Sequence, residues 1–138
     1  MKTVGGFTLL EILVALLIIS VGLLGLAGLQ GKGLRDNQSA LLRSRAVQCC
    51  EDILDRMRVN RNEAVDGSYN IVDLTKDTSL STSYQQMVRT DLMQWQGSQL
   101  AQLPEGKGTL SVSSNVATVT VSWSEAEGLQ TMTVKTRL

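Results

Sequence analysis

The sequence predicts an α+β fold. One long N-terminal helix, apolar over its first half, packs by its distal half on a small antiparallel β-sheet, and a second helix accompanies it. Three observations predict this. Residues 12–29 carry no charge. Beyond residue 33 the apolar positions recur at helical spacing as far as Met57. Residues 109–137 alternate with period two, in three runs separated by turn residues.

The charge-free run comes first. Its 18 residues would span roughly 27 Å as a helix, close to the ~30 Å hydrocarbon core of a bilayer. Extending it back to Phe7 adds only Thr8 and Glu11 as polar interruptions. An acid inside such a segment costs about 2.5–3.5 kcal/mol on insertion scales. Either Glu11 lies at headgroup level and stays wet, or it neutralises a positive charge on another molecule. Gly22, Gly25, Gly28 and Gly31 step by three and drift slowly round one side of the helix. They permit close helix approach and also weaken the helix, by ~0.5–1 kcal/mol each relative to alanine.

From Leu34 the pattern turns amphipathic. Leu34, Leu42, Ala46, Cys49, Ile53 and Met57 share one face, and Arg43, Glu51, Asp52, Asp55, Arg56 and Arg58 the other. Asp52 with Arg56 and Asp55 with Arg58 make (i, i+4) and (i, i+3) pairs on a solvated face. A helix over residues 7–60 results. Of the adjacent cysteines, one packs as a small buried hydrophobe and its neighbour sits beside it, since a disulfide between consecutive residues is strained.

Residues 60–83 are rich in Asn, Asp, Ser, Thr and Gly and read as a long connection, with one short strand at Tyr69-Asn70-Ile71-Val72. The second helix covers residues 84–103. Ser81, Thr82 or Ser83 caps it, and Tyr84, Val88, Leu92, Trp95 and Leu103 trace its apolar stripe. Trp95 at this spacing is a core anchor rather than a ligand platform. Pro104 stops the helix, and Gly106 and Gly108 open the turn beyond. Three strands follow, at residues 109–113, 117–123 and 131–137. Val119, Val121 and Trp123 face one way, and Ser122 and Ser124 are exposed strand positions. Ser114-Asn115 and residues 125–128 form short turns, so the strands run as a meander. A sheet with one apolar face needs a cover, which the distal half of the long helix supplies.

Composition narrows the function. Thirteen basic residues balance 13 acidic ones, so no basic surplus suggests a nucleic-acid surface. Histidine, the commonest general base and metal ligand, is absent. No phosphate loop, nucleophile–base pair or clustered metal ligands occurs. Enzymatic activity, a cofactor, a metal and a small-molecule substrate are therefore not expected.

One junction is more specific. Gly5-Gly6-Phe7-Thr8-Leu9-Leu10-Glu11 resembles the class III signal of type IV pilins and type II secretion pseudopilins. A conventional secretory signal also has support, from Lys2 and from Gly25-Leu26-Ala27. However, its apolar core is usually ~7–15 residues, and an acid near the start is out of place. The pilin resemblance implies cleavage by a prepilin peptidase after Gly6 and N-methylation of the new first residue, Phe7. It implies that Glu11 pairs with the N-terminal amine of a neighbouring subunit and so sets subunit register. It also implies a leader at residues 1–6, a transmembrane and filament-core helix at 7–33, and a periplasmic head at 34–138. Lysine and arginine counts around the span give only a weak orientation signal; the resemblance places the leader in the cytoplasm. Many major pilins carry a proline where this chain has Gly28, which is a departure.

The likeness extends to Ser20-Val21-Gly22-Leu23-Leu24-Gly25-Leu26-Ala27, Arg45-Ala46 and Glu51-Asp52-Ile53-Leu54-Asp55-Arg56-Met57-Arg58. With Asn60-Arg61, Trp95 and Leu103-Pro104, these resemble the PilV group of minor type IV pilins, and Cys49-Cys50 departs from that group. The resemblance implies a tip complex that primes pilus assembly for twitching motility, adhesion or DNA uptake. Its partners would be other minor pilins, the major pilin and, before assembly, inner-membrane lipid. A minor pseudopilin of type II secretion and a single-pass membrane-anchored binding module are the alternative classes.

Overall fold

The computed structural model describes residue 6, residues 8–71 and residues 86–138. Its elements are α1 (Leu9–Val59), α2 (Arg61–Val65), α3 (Gln86–Gln94), β1 (Lys107–Ser113), β2 (Val116–Glu125) and β3 (Gly128–Arg137). A π turn (Trp95–Gln99) and a 3₁₀ turn (Leu100–Gln102) connect α3 to β1. Contacts divide the chain into two compact units, Met1–Gln38 and Ser39–Leu138.

In the first unit the described residues from Leu9 onward are helical, and α1 is long and apolar enough to cross a membrane. The leucines, isoleucines and valines among the described residues of this unit are exposed, consistent with a membrane-spanning segment. Leu34 was expected on the buried stripe but is 72% exposed in this unit. The buried stripe begins at Leu42.

In the second unit α1 buries Leu42, Ala46, Cys49, Cys50, Ile53, Leu54 and Met57. These spacings of three and four, with doublets, make a wide stripe rather than a narrow seam. Ile53, Leu54 and Met57 are fully buried, and each such side chain contributes about 1.5–3 kcal/mol. The doublets explain one correction: both cysteines are buried, not one.

The sheet is antiparallel with order β1-β2-β3. Ser113 pairs with Val116 and Glu125 with Gly128, so two-residue turns join the strands. At the first turn Ser114 and Asn115 have φ of 50° and 61°, as a type I′ hairpin demands. Ala117, Val119, Val121 and Trp123 of β2 point into the core with Leu110 and Val112 of β1. Met132 and Val134 of β3 are only partly buried against it. Ser122 and Ser124 are half-buried, and the Ser124 amide donates to the Pro104 carbonyl at 2.9 Å.

Two expected segments differ from the structure. The connection after α1 starts with the short helix α2 and buries Ala64, Tyr69 and Ile71. In place of the strand expected at Tyr69, Ile71 makes one antiparallel bridge to Leu110, and Val72 lies outside the described residues. The second helix is regular only over Gln86–Gln94; the expected caps and Tyr84 lie outside the described residues. Leu103 is extended, as the residue before a proline favours, so the helical path ends there. Gly108 is a strand residue and does not open the turn. A Cβ on it would stand 2.4 Å from Cη2 of Trp95 and 3.0 Å from Cδ1 of Leu100. Glycine there lets the indole rest on the sheet.

Candidate functional site

The N-terminal segment is built around Thr8. Its carbonyl accepts from the amides of Glu11 at 3.1 Å and Ile12 at 3.3 Å, the latter being the first i→i−4 bond of α1. Its Oγ1 also accepts from the Glu11 amide, at 3.3 Å. Thr8 is thus the N-cap and Glu11 the third residue of the helix. The Thr-x-x-Glu spacing signals this arrangement, and the sequence reading passed over it. Glu11 is exposed in the first turn, where a carboxylate favours the positive end of the helix dipole.

Gly6 is exposed, belongs to no helix or strand, and has open space where a Cβ would stand. Phe7 lies outside the described residues. Gly22, Gly25 and Gly28 lie within α1, each with nothing within 4 Å of a built Cβ. Ser20 donates to the Leu16 carbonyl at 2.6 Å, keeping its hydroxyl satisfied within the apolar run.

Residues 1–27 match the family model of the prokaryotic N-terminal methylation motif. The N-terminus is of the prepilin type. The match supports a type IV pilin-like or pseudopilin protein, a structural rather than an enzymatic class. It implies processing by a prepilin peptidase and assembly with other pilins, and the apolar helix is consistent with inner-membrane anchoring. The architecture agrees: a long N-terminal helix packed on a three-stranded antiparallel sheet, with a further helix, is α+β and pilin-like. No curated protein and no solved structure matches the chain.

Among the described residues of the second unit a buried polar network surrounds Asp91. Asp91, 8% exposed, accepts from the Tyr69 hydroxyl at 2.5 Å and from Arg56 Nη1 at 3.3 Å. Arg56 also donates to Asp52 at 2.9 Å and to Gln94 Oε1 at 2.7 Å, and Asn60 donates to the Tyr69 oxygen at 3.3 Å. Burial raises the Tyr69 phenol above its ordinary range, and the hydrogen bond to Asp91 adds to the rise. For Arg56, burial pulls downward, but the bonds and charges of Asp52 and then Asp91 outweigh it. The expected Asp55–Arg58 pair forms at 2.6 Å on the surface, where it adds little.

Trp95 is fully buried and donates its indole N–H to the Cys49 carbonyl at 2.8 Å. It ties the π turn to α1 as a core anchor. Burial pushes the Cys49 thiol up to about 12, with the neighbouring Cys50 adding to the effect, and burial pushes Cys50 up to about 11. Neither is a nucleophile near neutral pH. Among the described residues no group of three or more His, Cys, Asp or Glu side chains could hold a metal ion.

Proposed function

We propose that this chain is a minor type IV pilin that joins a tip complex priming pilus assembly. The observation that carries the reading is the Gly6-Phe7 junction standing just ahead of a long apolar helix with Glu11 in its first turn. In this reading the prepilin peptidase cuts after Gly6, and Phe7 becomes the methylated N-terminal residue. Before assembly, α1 anchors the chain in the inner membrane, leader in the cytoplasm and head in the periplasm. Residues 1–6 are the leader, 7–33 the membrane and filament-core helix, and 34–138 the head. In the filament Glu11 pairs with the N-terminal amine of a neighbouring subunit. Gly22, Gly25 and Gly28, which leave open surface on α1, let neighbouring helices approach closely.

The minor-pilin assignment, rather than the broader class, is supported by residues of the head. Asp52 with Arg56, Trp95, and Leu103 before Pro104 resemble the PilV group; Trp95 and Leu103 are buried in the core, and Asp52 pairs with Arg56 in a half-buried ion pair. The head's partners are then other minor pilins and the major pilin.

The test has two arms. Replacing Gly6 with leucine should leave the precursor six residues longer by mass spectrometry, and Glu11→Val should insert normally yet be lost from sheared pilus fractions. Deleting the gene should abolish or reduce surface pili while exoprotein secretion stays normal. The opposite pattern would assign the chain to a secretion pseudopilus.

A further inference from the structure

We propose that the open edge of β3 is a docking site for an extended, acidic strand of a partner protein. The site lies within the second unit, and the proposal does not depend on the minor-pilin assignment. β3 is the last strand of the sheet, and among the described residues no strand pairs with its outer side. The Leu138 amide donates to the Asn115 carbonyl at 2.9 Å, which sets the phase of the ladder. Even-numbered residues of β3 therefore bond to β2. Leu129, Thr131, Thr133, Lys135 and Arg137 turn their N–H and C=O groups outward. The register runs unbroken from Gly128 to Arg137, with no bulge or proline to blunt the edge. Such a row of unpaired groups is a template for strand addition.

The side chains decide which strand fits. Lys135 and Arg137 are the charged residues of β3; both are exposed, and neither has an ion-pair partner among the described residues. Arg58 and Arg61 add positive charge at the same end. Arg58 Nη2 donates to Thr136 Oγ1 at 3.3 Å, and Arg61 Nη2 donates to the Leu138 carbonyl at 3.2 Å. Asp55 offsets Arg58 alone. On the opposite face Met132 and Val134 are only partly buried. An antiparallel partner with acids opposite Arg137 and Lys135, and apolar side chains opposite Val134 and Met132, satisfies both faces. A second copy fits less well. β3 paired with itself about Thr133 sets Lys135 against Thr131 and Arg137 against Leu129, leaving the cations unmatched.

The experiment titrates a capped, fluorescent heptapeptide, ETEVTIT, into the full chain in neutral detergent micelles, reading anisotropy and amide hydrogen exchange. Its first and third residues are placed to meet Arg137 and Lys135. Binding should slow exchange at Thr131, Thr133 and Lys135, whose amides face outward, and leave their even-numbered neighbours unchanged. N-methylation of the third and fifth peptide residues should weaken binding about fivefold or more, as loss of two hydrogen bonds requires. N-methylation of the fourth and sixth, which point away from β3, should change it by less than about twofold. Lys135→Glu/Arg137→Glu turns two attractive cross-strand pairs repulsive, so it should weaken binding about fourfold or more and favour the peptide KTKVTIT instead. No binding, equal sensitivity to both methylation patterns, or binding without protection of the outward amides would overturn the proposal. Outward amides already protected in the peptide-free chain would overturn it as well. Protection independent of concentration would assign the edge to the chain itself, and protection that grows with concentration would assign it to a second copy.

Discussion

The Tyr69 hydroxyl donates to Oδ2 of Asp91 at 2.5 Å, joining the segment after α1 to α3 through a bond shielded from water. Arg56 on α1 holds the other carboxylate oxygen, so three separate stretches of chain meet at one acid. A buried network of this kind contributes when complete and costs when broken.

Tyr69→Phe should therefore lower unfolding free energy by about 1 kcal/mol, since Asp91 keeps Arg56. Asp91→Ala should cost more, about 1–3 kcal/mol, because it strands both the phenol and part of the guanidinium. A double-mutant cycle on the full chain in detergent micelles, followed by urea unfolding, should return a coupling of about 0.5–3 kcal/mol. Additive losses would show that the two residues act separately.

Gly108→Ala should destabilise by about 1–3 kcal/mol through overpacking against the indole. The clash is with the benzo half of Trp95. In a Trp95→Phe background, which lacks those atoms, the same glycine substitution should cost clearly less. Equal costs in both backgrounds would move the clash elsewhere.

Alkaline pH should weaken the head. Both thiols ordinarily titrate near 9.0, and burial holds them to about 12 and 11 in the folded chain. A raised folded value means that stability is full below pH 9 and falls as pH climbs toward 12, because only the unfolded chain releases its protons early. Tyr69 adds the same trend from about 10.0 upward. Thermal melts of the full chain between pH 7 and 11 should show the decline. The Cys49→Ala/Cys50→Ala variant should lose the part that starts near pH 9 and keep the part due to the phenol.

Ser114→Gly should stabilise the chain by about 0.5–1 kcal/mol, because relief of the ~1–2 kcal/mol left-handed cost at a φ of 50° outweighs the ~0.4–1 kcal/mol of unfolded-state entropy that glycine adds. A melting temperature equal to or below wild type would contradict this.

The long helix, the meander and the core role of Trp95 were legible because their signals are periodic and local. Glu11 and Gly6 stood out for a related reason, as unusual residues at fixed distances from an apolar run. The Asp91–Tyr69 bond was not legible, since nothing in a sequence pairs two polar residues 22 positions apart. Cys50 was misjudged because a single stripe was drawn where α1 presents a wide one. Leu100 was missed for a geometric reason. It lies five residues after Trp95, off the helical stripe, yet both rest against Gly108.

The π turn at Trp95–Gln99 brings those two side chains together. Such a turn closes i→i+5 bonds and so holds one residue more than a regular turn. It works as a phase shift in the chain, rotating everything downstream by one position. Deleting Gly97, where an added Cβ would meet nothing within 4 Å, would restore regular winding and carry Leu100 away from the sheet while every side chain of the core remained in the sequence. Length there, rather than composition, decides which residues are inside, and a single missing codon would be felt as a misaligned core.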